Sequence, residues 1–280
     1  MDQKLEAMLV TKTLKMATNN IKIIELIEKT LTQNNIDYNS IIDGFGQLDA
    51  SKKRGEGHEF TLSDHVKALL LSQLSNQRSW GGIAKNLKNL KIIFQVYNPE
   101  KLKESDTNYL LENIREIKCG NRKIKYQILN LRENIKQFEK IVTKYGSMDN
   151  FINLNSAEQT AELLSNPKSE YKIKELGFTL AMEYLRNVGV RSVKPDLHIL
   201  RICGTDRLDL FPLKTNPLQA TQIFNEFCKD IERNTTYVDN LVWIFGAKDY
   251  ANICSKVPKC ELCLLRTEGL CNFKNDNGLQ

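Results

Sequence analysis

Apolar residues recur along this chain at mostly three- and four-residue steps, the spacing of one face of an α-helix. Leu5, Met8, Leu9, Leu14, Met16, Ile21, Ile24 and Ile27 predict helix from Leu5 to about Gln33. Ser63 reads as the N-cap of a second strong helix, with Asp64 in its first turn and Val66, Leu69, Leu70 and Leu74 as its stripe. Further helices are predicted over Gly81–Leu90, Asp106–Ile114, Lys125–Tyr145, Ala157–Leu164, Phe178–Asn187 and Pro217–Arg233, and another starts at Asp196. The stretch from Gly44 to Gly57 is rich in glycine and charge and predicts a loop. Alternating strand patterns of useful length, fixed-period repeats and low-complexity tracts are missing. The expected fold class is all-α.

Composition narrows the picture. Of 280 residues, 41% are apolar and 26% charged, with 14 Gly and 6 Pro, which excludes a disordered or collagen-like chain. The longest apolar runs, such as Ala68–Leu71, are too short to span a bilayer, and no membrane partner is expected. Asp2, Lys4, Glu6, Lys12 and Lys15 interrupt the N-terminal apolar residues, so that segment reads as an amphipathic helix and not as a secretory signal. A monomer in the cytoplasm or on the nucleoid is expected. Lysine and arginine number 40 against 34 acidic residues, and a net charge of +6 permits a nucleic-acid partner without requiring one.

The cysteines carry more chemistry. Cys119, Cys203 and Cys228 are scattered, while Cys254, Cys260, Cys263 and Cys271 fall within one short segment. A reducing compartment argues against a disulfide framework and for metal. Zinc ribbons use two separated C-x-x-C knuckles, whereas this segment has a single C-x-x-C, Cys260 to Cys263, flanked by one cysteine on each side. One compact loop suits a [4Fe–4S] cluster, which also takes four thiolates; zinc and unligated thiols remain the alternatives. Lys248, Lys256, Lys259, Arg266 and Lys274 surround the loop, and could offset a negative cluster, meet DNA phosphates or form a solvated face.

Upstream, Glu175-Leu176-Gly177 predicts a short turn into the helix Phe178–Asn187, which Gly189 ends as a C′ glycine. Asp196 caps the next predicted helix, which buries Ile199, Leu200 and Ile202. A carboxylate at a helix start is held ionised by backbone N–H groups, as either a structural cap or a catalytic group.

Taken in order, these pieces resemble the endonuclease III family of helix-hairpin-helix DNA glycosylases. Leu69-Leu70-Leu71-Ser72-Gln73 is similar to that family's LLS-x-Q helix end, and Ile114–Tyr126, with Gly120 and Lys125, to its next helix turn. Leu176-Gly177 to Ala181 stands where its hairpin and following helix stand. Pro195-Asp196-Leu197-His198-Ile199-Leu200-Arg201-Ile202 is similar to its V-D-T-H-I-F-R-V, and Trp243 through Cys271 to its iron–sulfur segment. The resemblance spans about residues 60 to 275.

The resemblance implies base excision from double-stranded DNA, with the target base flipped into a pocket. Asp196 would stabilise the oxocarbenium-like sugar and direct the nucleophile. Gln73 would fill the vacated space, amides near Leu176 and Gly177 would hold phosphates, and Lys125 would contact the backbone. Cys254, Cys260, Cys263 and Cys271 would ligate [4Fe–4S]. It implies a central domain over 61–187, a second domain of 1–60 plus 188–280, and an active site in the cleft between them. Two positions depart from the family. Thr179 stands where bifunctional members carry the lysine that forms a Schiff base, which favours a monofunctional enzyme using water. Lys172, Lys174 and Lys194 are the alternative amines. The hairpin also retains only Gly177 of its two glycines, and Glu175 would repel phosphate. The rivals are a non-catalytic DNA-binding protein on the same scaffold and a zinc-stabilised helical module. His198, Arg201, Cys119, Cys203, Trp80 and Trp243 read first as packing or structural residues, and the runs Lys52-Lys53-Arg54 and Arg122–Lys125 as solvated surface.

Overall fold

The computed structural model describes residues 19–274. The part of the first predicted helix before residue 19 lies outside them. Contacts divide the chain into two units, one built from residues 19–45 and 195–274 and the other from Gly46–Lys194. No strand occurs among the described residues, and none of their helices is long and apolar enough to cross a membrane.

The first unit begins with α1 (19–33), which buries Ile23, Ile24, Leu26, Ile27 and Leu31, and α2 (Tyr38–Phe45), which buries Ile42. The chain then forms the second unit through α3 (Gln47–Gly55), α4 (Leu62–Leu74), α5 (Trp80–Ala84), α6 (Leu87–Ile93), α7 (Pro99–Glu104), α8 (Thr107–Glu116), α9 (Ile124–Leu129), α10 (Leu131–Tyr145), α11 (Met148–Asn153), α12 (Ala157–Ser165) and α13 (Phe178–Asn187). It completes the first unit with α14 (Leu197–Ile202), α15 (Pro217–Asp230), α16 (Thr235–Gly246) and α17 (Leu264–Thr267).

Caps explain several boundaries. α4 starts at Thr61 and not at Ser63, because Thr61 and Asp64 form a reciprocal capping box. Ser156 with Gln159 and Asn216 with Gln219 do the same for α12 and α15. The predicted helix 125–145 is two helices that meet at Asn130, and 81–90 divides into α5 and α6.

The predicted loop from Gly44 to Gly57 is a correction. Gly46, at φ 73°, separates α2 from α3, and α3 buries Gln47, Ala50 and Ser51 while Asp49, Lys52 and Lys53 face solvent. Arg54 explains why this charged segment orders. It donates to Val188 O at 2.6 Å and pairs with Asp149 at 2.5 Å. The same contacts move the unit boundaries from 61 and 187 to 46 and 195, since α3 and Val188–Gly189 pack with the second unit. Gly189, at φ 81°, ends α13 so close to α3 that a Cβ there would lie 2.2 Å from Ala50 O.

A buried polar network ties this unit together. His65 Nε2 meets Asp149 Oδ1 at 3.2 Å, its Nδ1 meets the Tyr184 hydroxyl at 2.7 Å, and the Phe60 amide donates to Asp149 Oδ2 at 2.6 Å. Burial alone would raise the Asp149 pKa, but the His65 ring, the Phe60 amide and Arg54 outweigh it and hold it down at about 2. Burial pushes His65 below its ordinary 6.5.

Gly189→Ala is expected to cost at least about 2 kcal/mol, from both the clash and the left-handed backbone; an unchanged denaturant midpoint would contradict this packing. Both shifted groups have depressed folded-state pKa values. Their stabilisation is therefore present above the unfolded-state values and is lost as pH falls, first below about 6.5 for His65 and then between about 4 and 2 for Asp149. Asp149→Asn is expected to be less stable at neutral pH and to lose the steep loss below pH 4. Urea titrations across pH read both, and an unchanged acid slope in the variant would refute the assignment.

Candidate functional site

The hairpin is the short connection from α12 to α13. The Ile173 amide donates to Leu164 O at 2.9 Å, and Lys172 Nζ closes the turn on Leu176 O at 2.5 Å. Burial lowers the Lys172 pKa, with Glu175 opposing that shift. Leu176 is buried beneath the turn. The left-handed conformation that usually calls for glycine falls on Glu175, at φ 58°. Gly177 is extended at φ −88°, and a Cβ there would have no atom within 4 Å. It is the N-cap of α13, with no side chain capping the helix, and Thr179 sits half-buried in the first turn. The turn therefore forms with a glutamate in the left-handed position.

Gln73 is not where its expected role would put it. At 1% exposure it lies inside the second unit, where its Nε2 donates to Lys174 O at 3.2 Å. Its own carbonyl accepts from Asn121 Nδ2 at 2.7 Å and Gln127 Nε2 at 3.1 Å. Gln73 joins the end of α4 to the hairpin, so it is not a side chain held out for DNA. Asn134, on the buried face of α10, completes the arrangement. Its amide bonds both to the Lys174 N–H, at 2.8 Å, and to the Lys174 carbonyl, at 3.0 Å. Sequence reasoning missed Asn134. The available signal was an asparagine in the apolar stripe of Leu131, Ile135, Phe138 and Ile141. Lys125 and Tyr126 are exposed on α9, Arg122 and Lys123 are exposed just before it, and Lys123 Nζ lies 5.5 Å from the Tyr126 ring centroid.

In the other unit, Asp196 caps α14 as expected. Its Oδ1 accepts from the amides of His198, at 2.8 Å, and Ile199, at 3.2 Å, while Oδ2 takes no part in the cap. The residue is half-buried. Arg201 Nη2 donates to His198 Nδ1 at 3.0 Å and to Cys254 O at 3.4 Å. Half-buried Phe45, Trp243 and Tyr250 form an edge-to-face cluster with centroids 5.2–5.8 Å apart, and the His198 ring lies 5.8 Å from Trp243.

The four clustered cysteines lie around one pocket. Cys254, Cys260, Cys263 and Cys271 all line this small, partly solvent-open pocket, with Arg207, Arg266, Lys259 and Phe273 in its wall. By contrast, no group of three or more His, Cys, Asp or Glu side chains among the described residues is placed to hold a metal ion. Arg207, which no sequence motif singles out, is buried; it donates to Cys254 Sγ at 3.0 Å and stacks on Phe273 at 4.6 Å. Burial pushes the Cys254 thiol up to about 11 despite the pull of Arg207, and also raises Cys260 and Cys263. Cys119, Cys203 and Cys228 are buried and do not line this pocket.

No protein-family model matches this sequence, and no curated protein resembles it in sequence. Solved structures do resemble it in fold. The 8-oxoguanine glycosylase/lyase of Methanocaldococcus jannaschii, in complex with DNA containing 8-oxoguanine, is 18% identical, with a TM-score of 0.51 over 80% of this chain and 96% of that one. A structure of the 8-oxoguanine DNA glycosylase of the same organism is 20% identical, with a TM-score of 0.51 over 80% of this chain and 94% of that one. The fold is the all-helical fold of the helix-hairpin-helix DNA glycosylases.

Proposed function

We propose that this protein is a DNA N-glycosylase of base-excision repair that removes a damaged, mismatched or modified base from double-stranded DNA, with water as nucleophile. The observation that carries the reading is Asp196, a half-buried carboxylate fixed by two backbone amides through one oxygen, on a fold shared with DNA glycosylases. The cap orients the carboxylate, and Oδ2 is left to face a developing oxocarbenium-like sugar or to orient water. The half-buried rings of Phe45, Trp243 and Tyr250 would offer stacking faces to a flipped base. First-turn amides of α13 beyond Gly177 would take a DNA phosphate, with Lys125 and its basic neighbours adding sequence-independent attraction. Thr179 supports a monofunctional enzyme, because its hydroxyl cannot form an imine. Lys172 favours a second reading, since burial lowers its pKa and makes its amine a better nucleophile.

A [4Fe–4S] cluster on Cys254, Cys260, Cys263 and Cys271 belongs to the same proposal. Four thiols arranged around a cavity suit a multi-iron group better than a single ion. Buried thiols that resist ionisation alone lose their protons on ligation, and the guanidinium of Arg207 would offset the resulting charge at Cys254. The cluster would stabilise the terminal segment, and no chemical step at the sugar is assigned to it.

Incubation with duplexes carrying damaged, mismatched or modified bases is expected to yield abasic sites, with Asp196→Asn slower by about a hundredfold or more but still bound to DNA. No abasic site on any duplex despite DNA binding would leave a binding protein. Borohydride is expected to trap no covalent adduct, and an adduct lost in Lys172→Ala would establish the lyase reading. The purified protein is expected to contain iron and sulfide and to absorb broadly in the visible range, with Cys263→Ser reducing both. A colourless protein containing only zinc would refute the cluster.

A further inference from the structure

We infer that Asn134 is the positioning residue that holds the hairpin in DNA-binding shape, in the role a turn glycine would otherwise fill. The inference rests on the DNA-binding reading of the hairpin proposed above. Its starting point is the left-handed backbone of Glu175, a conformation less favourable for L-residues than for glycine. The residue just before the turn is held at both its N–H and its carbonyl. Asn134 pairs with Lys174 as a neighbouring strand would, accepting from its N–H at 2.8 Å and donating to its carbonyl at 3.0 Å. Gln73 adds a second donor to that carbonyl at 3.2 Å. On the far side of the turn, Lys172 Nζ binds Leu176 O at 2.5 Å. The peptides flanking Glu175 are thus fixed from both directions.

The clamp is anchored deep in the unit. Asn134 and Gln73 are each 1% exposed, as is Gln127. Asn121 Nδ2 bridges Gln73 O, at 2.7 Å, and Gln127 Oε1, at 3.1 Å. Buried amides of this kind have defined partners and few alternative geometries, so the network transmits the position of α4 and α10 to the turn. It thereby sets where the first-turn amides of α13 present themselves to phosphate.

The test uses the full-length protein, a duplex carrying a stable abasic-site analogue, and amide hydrogen exchange. In the wild type the Lys174 amide is expected to exchange slowly although it lies in a loop; fast exchange there would overturn the inference without any variant. Asn134→Ala is expected to speed exchange at residues 174–178 selectively and to weaken duplex binding about tenfold. Adding Glu175→Gly to Asn134→Ala is expected to restore most of that affinity, and clearly more than adding Glu175→Gln, which removes the same charge, because glycine adopts the left-handed turn unaided. Undiminished binding by Asn134→Ala, or a loss that Glu175→Gly rescues no better than Glu175→Gln, would overturn the inference. If Asn134→Ala does not fold, the same measurements on Asn134→Asp decide, since that variant keeps the acceptor for the Lys174 amide and loses the donor. If the wild type binds no duplex, the functional reading fails; exchange at Lys174 and its response to the two substitutions still judge the clamp.

Discussion

The backbone of Lys174 is where the local requirements of this chain meet. Its carbonyl accepts from two buried side-chain amides and its N–H donates to one of them. The next residue turns left-handed, Leu176 is driven into the core, and α13 begins one residue later. Unpairing a buried amide costs more than pairing it gains, so such a network tolerates few intermediate arrangements. α13 is itself walled in, by Gly189 against α3 at its end and by Tyr184 against His65 along its length. The start of this helix is therefore positioned by buried contacts on several sides, which is the property a phosphate-binding hairpin needs.

A second use of backbone amides, in the other unit, orients a carboxylate. Asp196 is fixed through Oδ1 alone, which combines a defined orientation with an oxygen left over. Arg201 links its neighbour His198 to the carbonyl of Cys254, and Arg207 reaches the sulfur of that same cysteine. The carboxylate and the cysteine segment thus share a short run of chain, 196–207, as common support. The exposed basic residues around α9 add a charge that needs no special geometry, which fits the long range of phosphate attraction.

Much of this was legible in the residues. The 3.6-residue period gave α13 with both ends correct, and local capping chemistry marked Asp196. The four clustered cysteines could be grouped by spacing alone, and they line one cavity. What escaped depends on distant partners. α3 reads as a loop because glycines flank it and charges fill it, and it orders through Arg54 and Asp149, which lie 95 positions apart. Gln73 looks like a surface glutamine at a helix end, and only its bond to Lys174, 101 positions away, explains its burial. Asn134 and Arg207 carry no local pattern that distinguishes a clamp or a thiol donor from any other polar residue. The missing hairpin glycine misled in the opposite direction, since tertiary bonds impose on Glu175 what sequence would assign to glycine.

The central claim is that the hairpin at the start of α13 meets a DNA phosphate. Gly177 offers the most direct test, because its conformation is open to any residue and its side-chain space is empty in the protein alone. Measured together, duplex affinity and thermal stability of Gly177→Ala separate the fold from the interface. The account predicts a stability loss below about 1 kcal/mol, the modest cost of alanine at a helix N-cap, alongside duplex affinity weakened about tenfold or more by a methyl group set against the phosphate. Full affinity in a stable Gly177→Ala protein would contradict it.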